Sequence, residues 1–239
     1  MQRTGNEARA EQRRIAAWFD GVYRRRGLRY LRPERAYAVF LDLLDVRAGQ
    51  SLLDVACGPG HLLAQAARRD LRVHGVDISP VAVAMAAQRL PGAAVSVANA
   101  ERLPFAEETF DHLTCLGSLE RVMNRRAALS EMTRVLRPEG RLCLMVRNAT
   151  SLRWRLVQGL RRQNREGHQD ADDLVTWETG ITEAGLECIA VYPDQWPLMW
   201  RERMGHRLGI TVEPRLRRSG MLPLRLANEF IFLLRRAAH

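Results

Sequence analysis

Short apolar runs alternate with amphipathic segments along the chain. Each run has the length of a buried strand, and each segment between runs has the periodicity of a helix. The pattern predicts strands over Ser51–Ala56, Val73–Asp77, Val95–Ala98, Phe110–Leu116, Leu142–Arg147, Leu186–Tyr192 and Phe230–Leu234. It predicts helices over Leu62–Arg69, Pro80–Arg89, Arg125–Leu136 and Asp172–Ala184. Such alternation is typical of an α/β fold with a parallel sheet covered on both faces.

Local signals refine these boundaries. Ser79 followed by Pro80 predicts a helix start, with Ser as the N-cap and Pro at the first helical position. The segment Arg137–Gly140 (RPEG) predicts a helix end and a turn before the fifth strand. An Arg-rich, Trp-containing insertion precedes the last strand. Its composition suits a substrate lid, a membrane-surface patch or a cover for the sheet edge.

Composition narrows the class of protein. The chain has 239 residues, of which 46% are hydrophobic and 27% charged, as in a globular protein. No apolar run approaches the roughly 20 residues of a membrane span. The N-terminal MQRTGNEARAEQRR has no apolar signal core, so we expect a cytoplasmic protein. The four cysteines form no CxxC pair and no zinc-type spacing, so we expect reduced thiols and no metal.

Arginine supplies the whole basic charge. The net charge is +10, and none of the 37 basic residues is Lys, a bias that genome composition explains better than function does. Residues 49–146 are nearly neutral, with 11 Arg and 10 acidic residues. The flanks are basic, with 11 Arg against 6 acids before this region and 15 against 11 after it. Basic flanks suit an anionic acceptor or peripheral contact with an acidic membrane, and also suit plain solvated surface.

The strongest local signal is the segment LLDVACGPGHLL, residues 52–63. A strand enters a loop with Gly58 and Gly60, and Asp77 ends the next strand 19 residues after Gly58. A carboxylate at that position accepts hydrogen bonds from ribose hydroxyls in doubly wound folds. Leu63 replaces the third glycine of the dinucleotide fingerprint, and no Walker Lys follows. Asp54 before the loop suits a cationic group such as an α-ammonium. The loop therefore predicts a nucleoside that carries an amino acid.

Five motifs in order resemble class I S-adenosylmethionine-dependent methyltransferases, in the small-molecule branch of the methyltransferase-11 type. They are LLDVACGPGHLL, HGVDIS, ANAERLPF, FDHLTCLGSLERV and RVLRPEGRLCLMV. The resemblance implies a Rossmann-like, doubly wound, seven-stranded sheet that is mostly parallel with the last strand antiparallel. It also implies an N-terminal helical cap at 1–48, a methyltransferase domain at 49–239 and a lid-like insertion at 193–228.

The resemblance implies S-adenosyl-L-methionine as cofactor and S-adenosyl-L-homocysteine as product. Asp77 is expected on the ribose, Ile78 against the adenine, and Asn99 at a position where the family often has Asp. Ala56 stands where the family usually has its first glycine. The expected cofactor-binding residues are Asp54, Ala56, Cys57, Gly58, Gly60, Asp77, Ile78, Asn99, Ala100, Glu101 and Leu116, with Tyr30 and Arg32 from the cap. Tyr23 is a further cap candidate.

The catalytic candidates follow the fourth strand. Glu120-Arg121 stands where the family often has Glu-His. Arg121 cannot be a base but suits an anionic substrate group, whereas Glu120 suits a base or an ordinary loop carboxylate. His61 is expected beside the methionine part of the cofactor rather than as a base.

The resemblance therefore implies an enzyme, a transferase of small-molecule biosynthesis. We expect in-line methyl transfer to O or N of an acceptor of natural-product, sugar or lipid-linked origin, with C-methylation also open.

An RNA methyltransferase is one alternative because the pI is about 10.7. CLGSLE stands in place of an N-P-P-Y motif, and the Arg residues are dispersed, which argues against nucleic acid. A catalytically inactive scaffold is the other alternative, since Ala56, Asn99 and Arg121 depart from the family pattern. Oligomeric state is left open.

Overall fold

The fold was analysed in a computed structural model of the chain. The structure describes residues 5–152, 154–155, 170–194 and 223–238, with the backbone alone at 5–6, 8–9 and 29–30. The helices are α1 Gly5–Arg26, α2 Ala38–Leu44, α3 His61–Ala67, α4 Pro80–Arg89, α5 Arg125–Val135 and α6 Leu174–Glu183. The strands are β1 Ser51–Val55, β2 Arg72–Asp77, β3 Ala94–Val97, β4 Phe110–Leu116, β5 Leu136–Arg147, β6 Leu186–Pro193 and β7 Glu229–Arg236.

The strands form one seven-stranded sheet in the order β3-β2-β1-β4-β5-β7-β6. β1 to β5 run parallel, and β7 is antiparallel to both β5 and β6. The predicted Rossmann-like, doubly wound sheet with an antiparallel last strand is therefore confirmed. The strand order reverses between β1 and β4. In open α/β sheets, ligands bind at the carboxyl ends of the strands beside such a switch point.

Apolar side chains cover both faces of the sheet. Every residue of β1 is buried, as expected for a central parallel strand. On one face the core includes Met132 of α5 and Trp177 of α6. On the other face it includes Phe40 of α2 and Leu63 of α3. Each such side chain contributes about 2 kcal/mol when it leaves water, so the sheet is a rigid base for the loops at its carboxyl edge.

The predicted turn at Arg137–Gly140 is wrong. The helix does end at Val135, but β5 begins at once, and Leu136 pairs with Phe110 of β4. The pairing then shifts register before His112, and an irregular pairing of this kind tolerates a Pro without an N–H. The residues read as a turn are therefore the irregular start of a strand.

The N-terminal helix α1 packs on α4. The Asp20 carboxylate accepts hydrogen bonds from the Ser79 hydroxyl and, at 3.3 Å, from the Val81 amide. Ser79 in turn caps α4 by accepting from the Ala82 amide at 3.1 Å, which confirms the predicted N-cap. These contacts hold α1 beside the carboxyl ends of β1 and β2, where the candidate site lies.

Candidate active site

Two adjoining cavities lie at the carboxyl edge of the sheet. The first encloses about 630 Å³, part of it open to solvent, between α1, the ends of β1 and β2, and the loops after β3 and β4. The second encloses about 500 Å³ and extends from the glycine loop to the turn before α2. The cavities share a wall formed by Phe19, Tyr23, Ala56, Ser118 and Arg121, so together they form one bent groove.

The glycine loop forms the base of this groove. Ala56, Gly58 and Gly60 all have left-handed backbones, with φ of 61°, 52° and 80°. A Cβ on Gly58 would lie 2.9 Å from the Tyr23 hydroxyl oxygen, so both conformation and space require glycine there. Ala56, at the position where the family usually has its first glycine, has a left-handed backbone at a cost of about 1 kcal/mol.

Asp77 lines the first cavity at the end of β2. Its two carboxylate oxygens accept hydrogen bonds from the backbone amides of Gly58 and Ser79, each at 2.8 Å. Burial raises the pKa of Asp77 to about 6, although both amide bonds favour the ionised form. Two of its roughly four acceptor positions are thus in use. The carboxylate can still accept from a vicinal diol, which fits a ribose.

Asp54 lies at the edge of the second cavity, near the end of β1. It is buried, and its Oδ1 accepts a 2.6 Å hydrogen bond from the Thr114 hydroxyl. Desolvation raises its pKa to about 7, and the nearby Asp77 adds to that shift. A cation in the cavity would compensate the buried charge. The residues present therefore fit a ligand with a diol in one cavity and an ammonium group near the other.

The loop after β3 completes the first cavity. Ile78, Asn99, Ala100 and Glu101 all line it. The Asn99 side-chain oxygen accepts from the Glu101 amide at 3.0 Å, so that oxygen already fixes the loop. The Glu101 carboxylate accepts from Gln12 of α1 at 3.3 Å and from the Asn124 amide at 3.2 Å. Glu101 thereby joins the cap helix to the loop before α5.

Cys57 and Leu116 line the second cavity. Burial raises the pKa of the Cys57 thiol well above its ordinary value, and the neighbouring Asp54 and Asp77 raise it further. The same causes act on Cys115 in β4. A thiolate is disfavoured at both positions, so their environment suits packing and not nucleophilic chemistry.

The structure separates the two catalytic candidates. Arg121 lines both cavities, and its guanidinium carbon lies 5.4 and 5.3 Å from the ring centroids of Trp18 and Phe19. Glu120 is fully buried and is not among the described residues that line either cavity. Its carboxylate oxygens have no hydrogen-bond partner among the described residues, and Arg147 Nε lies 3.9 Å away. Only Arg121 lies where a substrate group could contact it.

The two cap candidates, Tyr30 and Arg32, are placed differently from Tyr23. The Tyr30 side chain lies outside the described residues. Arg32 makes two hydrogen bonds to Asp194, at 2.9 and 2.7 Å, and one of 2.6 Å to Glu229. It is not among the described residues that line the cavities. Arg32 thus ties the segment before α2 to the end of β6 and the start of β7.

Several lining residues escaped the sequence reasoning. Gln12, Ile15 and Phe19 of α1 cover the first cavity, and Tyr37 lines the second. Apolar residues at 15, 18, 19 and 22 follow the spacing of a helical face, which would have indicated α1. The sequence pattern does not reveal that this face covers the groove, because its position depends on packing between distant parts of the chain. Most of the predicted insertion, residues 195–222, lies outside the described residues.

The described part of the chain also bears on membrane and metal binding. Within that part of the chain, no helix combines the length and apolar character needed to cross a bilayer. The same residues include no group of three or more His, Cys, Asp or Glu placed to hold a metal ion.

Comparison with known proteins agrees with this geometry. The family model described as "Methyltransferase domain" matches residues 53–144. The chain is 39% identical over 133 residues to a demethylmenaquinone methyltransferase of Beutenbergia cavernae, a match that covers 54% of this chain and 55% of that protein. A 38% match to the ubiquinone/menaquinone biosynthesis C-methyltransferase UbiE of Klebsiella pneumoniae covers 44% and 45%. The chain thus spans about half the length of these curated relatives.

A solved structure shares nearly the whole fold. The complex of the Haloferax volcanii Trm112 methyltransferase activator and a putative methyltransferase aligns with a TM-score of 0.65 at 16% identity, covering 94% of this chain and 98% of that one. This likeness concerns the fold alone. The family match falls on the segment that builds the glycine loop, Asp77 and β4, so residues 53–144 are similar to a methyltransferase domain at the positions that form the groove.

Proposed function

We propose that the chain is an S-adenosylmethionine-dependent methyltransferase that acts on a small-molecule acceptor. The observation that carries the proposal is the placement of Asp77, the glycine loop and Asp54 along one groove at the switch point of the sheet. The named methyltransferase activities of its relatives support the same conclusion. When bound, S-adenosylmethionine supplies a methyl group that its sulfonium sulfur has already activated.

The chain's own residues would then bind, orient and exclude water. In this proposal Asp77 accepts from the ribose hydroxyls, and Ile78 with Asn99 borders the adenine. Asp54 offers a carboxylate to the ammonium group. α1 covers the first cavity through Ile15 and Phe19. Correct alignment of two reactants and removal of water supply a large part of catalysis where the methyl group is already activated.

The second cavity is proposed to hold the acceptor, beside the part near Asp54 that takes the amino-acid group of the nucleoside. Its wall combines apolar Leu31 and Leu116 with the aromatic rings of Phe19 and Tyr37. Arg121 is the cation among the described residues that line it. These residues suit an acceptor with a planar apolar body and an anionic or ionisable group directed at Arg121. The Beutenbergia cavernae relative is named for demethylmenaquinone, and a quinone-type acceptor is the class that we propose to test first.

The domain division is part of the same proposal. Residues 1–48 would form the helical cap, and 49–239 the methyltransferase domain with its insertion at 193–228. Three contacts of α1 and the following segment support the division: Gln12 with Glu101, Asp20 with Ser79, and Arg32 with Asp194. Each joins the cap to a loop at the carboxyl edge of the sheet, so the cap and the groove would open or close together.

Calorimetric titration of the purified chain with S-adenosylmethionine and S-adenosylhomocysteine tests the proposal. We expect one site per chain with micromolar affinity for both. An RNA titration at rising salt is the control for the nucleic-acid alternative, since backbone binding weakens steeply with salt. If neither nucleoside binds at millimolar concentration, the proposal is wrong and the scaffold alternative gains. Binding followed by label transfer from the methyl-labelled cofactor to small phenolic and quinol acceptors would extend the result to activity.

A further inference from the structure

His61 is a buried histidine on the wall of the second cavity that the proposed function does not yet use. It follows Gly60 directly, and its ring centroid lies 5.7 Å from that of Tyr37. A histidine beside a reacting site is usually considered as a base. Its hydrogen-bond partners decide whether this one can serve as such.

The contact with Arg89 determines which ring nitrogen of His61 carries the proton. A terminal guanidinium nitrogen of Arg89 lies 3.4 Å from His61 Nδ1. Arginine has only donors, so Nδ1 must be the acceptor of this contact. In a neutral imidazole with an accepting Nδ1, the proton is on Nε2. His61 therefore has a defined tautomer, in which Nδ1 is occupied by Arg89 and Nε2 carries the proton, on a ring that lines the second cavity.

The surroundings hold Arg89 in this position. The nitrogen that faces His61 also donates to the Pro59 carbonyl oxygen at 2.5 Å, and the other terminal nitrogen donates to Glu34 at 2.7 Å. Glu34 is held in turn by Arg68 at 2.6 Å and by Gln65 at 3.2 Å. Arg89 cannot turn away without breaking these bonds, so the tautomer of His61 is built into the fold.

Protonation of His61 is disfavoured as well. Burial and the charge of Arg89 lower its pKa, and Glu34 opposes them only in part. The Glu34 carboxylate lies 4.0 Å from Nδ1, beyond hydrogen-bond distance. The other groups on the wall of the cavity that carry or can carry charge are Asp54, Cys57, Arg121, Tyr23 and Tyr37. A neutral ring with a fixed Nε2–H follows from the contacts, and the lowered pKa agrees with it.

We infer that His61 is a hydrogen-bond donor and not a base, and that its Nε2–H binds an oxyanion in the second cavity beside Arg121. The inference rests on the proposed function only for the source of that oxyanion. One source is the carboxylate of the amino-acid part of the nucleoside. The other is the anionic group of the acceptor. The donor chemistry is the same for both sources.

The tautomer can be measured on the protein alone. Long-range ¹H–¹⁵N correlation spectra of ¹⁵N-labelled protein distinguish Nε2–H, Nδ1–H and doubly protonated rings, and the His61→Gln variant identifies the signal of His61. We expect the Nε2–H form throughout pH 6–8. The Arg89→Met variant should give a tautomer mixture and a raised pKa. An Nδ1–H or charged ring at pH 7 in the unsubstituted protein would overturn the inference.

A matched pair of variants tests the oxyanion. Gln at position 61 can place an amide N–H near the position of Nε2, whereas Asn is too short. We expect His61→Asn to weaken S-adenosylhomocysteine binding about tenfold, and His61→Gln much less. 5′-Methylthioadenosine has no amino-acid group, and its affinity should not change in either variant.

The remaining outcomes distinguish the nucleoside carboxylate from the acceptor's anionic group as the oxyanion. They also distinguish failure of the His61 inference from failure of the proposed function. Unchanged S-adenosylhomocysteine binding with an about tenfold higher acceptor KM in His61→Asn would assign the oxyanion to the acceptor. Equal nucleoside affinities and equal acceptor KM in all three proteins would refute the inference. If the unsubstituted protein binds neither nucleoside, the proposed function fails. In that case the tautomer measurement still tests whether His61 is a hydrogen-bond donor.

Discussion

The two halves of the groove are built in different ways. The first cavity rests on groups at the ends of β1, β2 and β3, such as Ala56, Asp77 and Asn99. The second adds side chains from the segment before α2, Leu31 and Tyr37, which do not line the first. Strand ends of a parallel sheet meet at one edge by topology, whereas the second wall depends on how loops pack. The difference agrees with the proposed division of the groove into a nucleoside half and an acceptor half.

The glycine loop is the part of the groove where the largest loss is expected. Gly58→Ala combines a left-handed residue with a Cβ 2.9 Å from the Tyr23 hydroxyl oxygen. We expect a loss of about 2 kcal/mol in stability and no measurable binding of S-adenosylhomocysteine by calorimetry.

A rescue and a control separate the two causes. Adding Tyr23→Phe to Gly58→Ala removes the close oxygen and should restore part of the stability. Gly92→Ala is the matched control, because Gly92 is exposed, its φ is not positive, and nothing lies within 4 Å of its added Cβ. Normal binding by Gly58→Ala would show that the loop does not approach the ligand.

Asp77→Asn tests the nucleoside half without a change in side-chain size. Asp77→Asn keeps the size but replaces one acceptor oxygen with a donor, which opposes a backbone amide of Gly58 or Ser79 and the ribose diol. We expect nucleoside affinity to fall about 30-fold, equivalent to about 2 kcal/mol. Calorimetry should show this loss equally for S-adenosylhomocysteine and 5′-methylthioadenosine. Glu107→Gln, at an exposed position, is the control; an unchanged Asp77→Asn affinity would remove Asp77 from the site.

Asp54 should make binding depend on pH. Its pKa is raised to about 7, so the free carboxyl holds a proton below that pH, and an ammonium ligand must displace this proton. Affinity for S-adenosylhomocysteine should therefore rise as pH increases from 5 to 8, by up to about tenfold per unit below the pKa.

The ratio of the affinities for two ligands isolates the contribution of Asp54 to the pH dependence. Asp77, with a pKa of about 6, is proposed to contact the ribose, which both ligands share. The affinity ratio of S-adenosylhomocysteine to 5′-methylthioadenosine should thus report Asp54 alone. In Asp54→Asn the ratio should no longer vary with pH. A flat ratio in the unsubstituted protein would argue that no ammonium group lies beside Asp54.

Ala56 offers the smallest expected effect. Because its φ is 61°, Ala56→Gly should relieve strain and raise the free energy of unfolding by about 0.5 kcal/mol, after the greater chain entropy of Gly is subtracted. Denaturant unfolding measures the change. A loss of stability would mean that Ala56 is not strained.

The sequence predicted the glycine-loop and strand-end residues of both cavities but, apart from Tyr23, not the side chains that α1 and the segment before α2 contribute. The alternation of strands and helices predicts seven strands, and a glycine loop followed by Asp77 is a local pattern. The irregular start of β5 was read as a turn because Arg137–Gly140 carries Pro and Gly, and its pairing with β4 depends on a partner that is distant in the chain. The partners of Arg32 lie 162 and 197 residues away, so no local pattern could reveal them.

The same limit explains the catalytic candidates. Glu120 and Arg121 are adjacent in sequence and equally polar, yet one is fully buried and the other lines the groove. The short helical turn Leu119–Arg121 directs neighbouring side chains to different sides, and only the packing around it decides which side is the cavity. The contact of Arg89 with His61 likewise joins α4 to α3 across 28 residues.

A crystal structure of the chain with S-adenosylhomocysteine tests the central claim most directly. The account predicts ribose hydroxyls on Asp77, adenine beside Ile78 and Asn99, and the amino-acid group in the second cavity near Asp54 and His61. A nucleoside bound elsewhere, or one whose ribose does not contact Asp77, would contradict the division of the groove into a nucleoside half and an acceptor half.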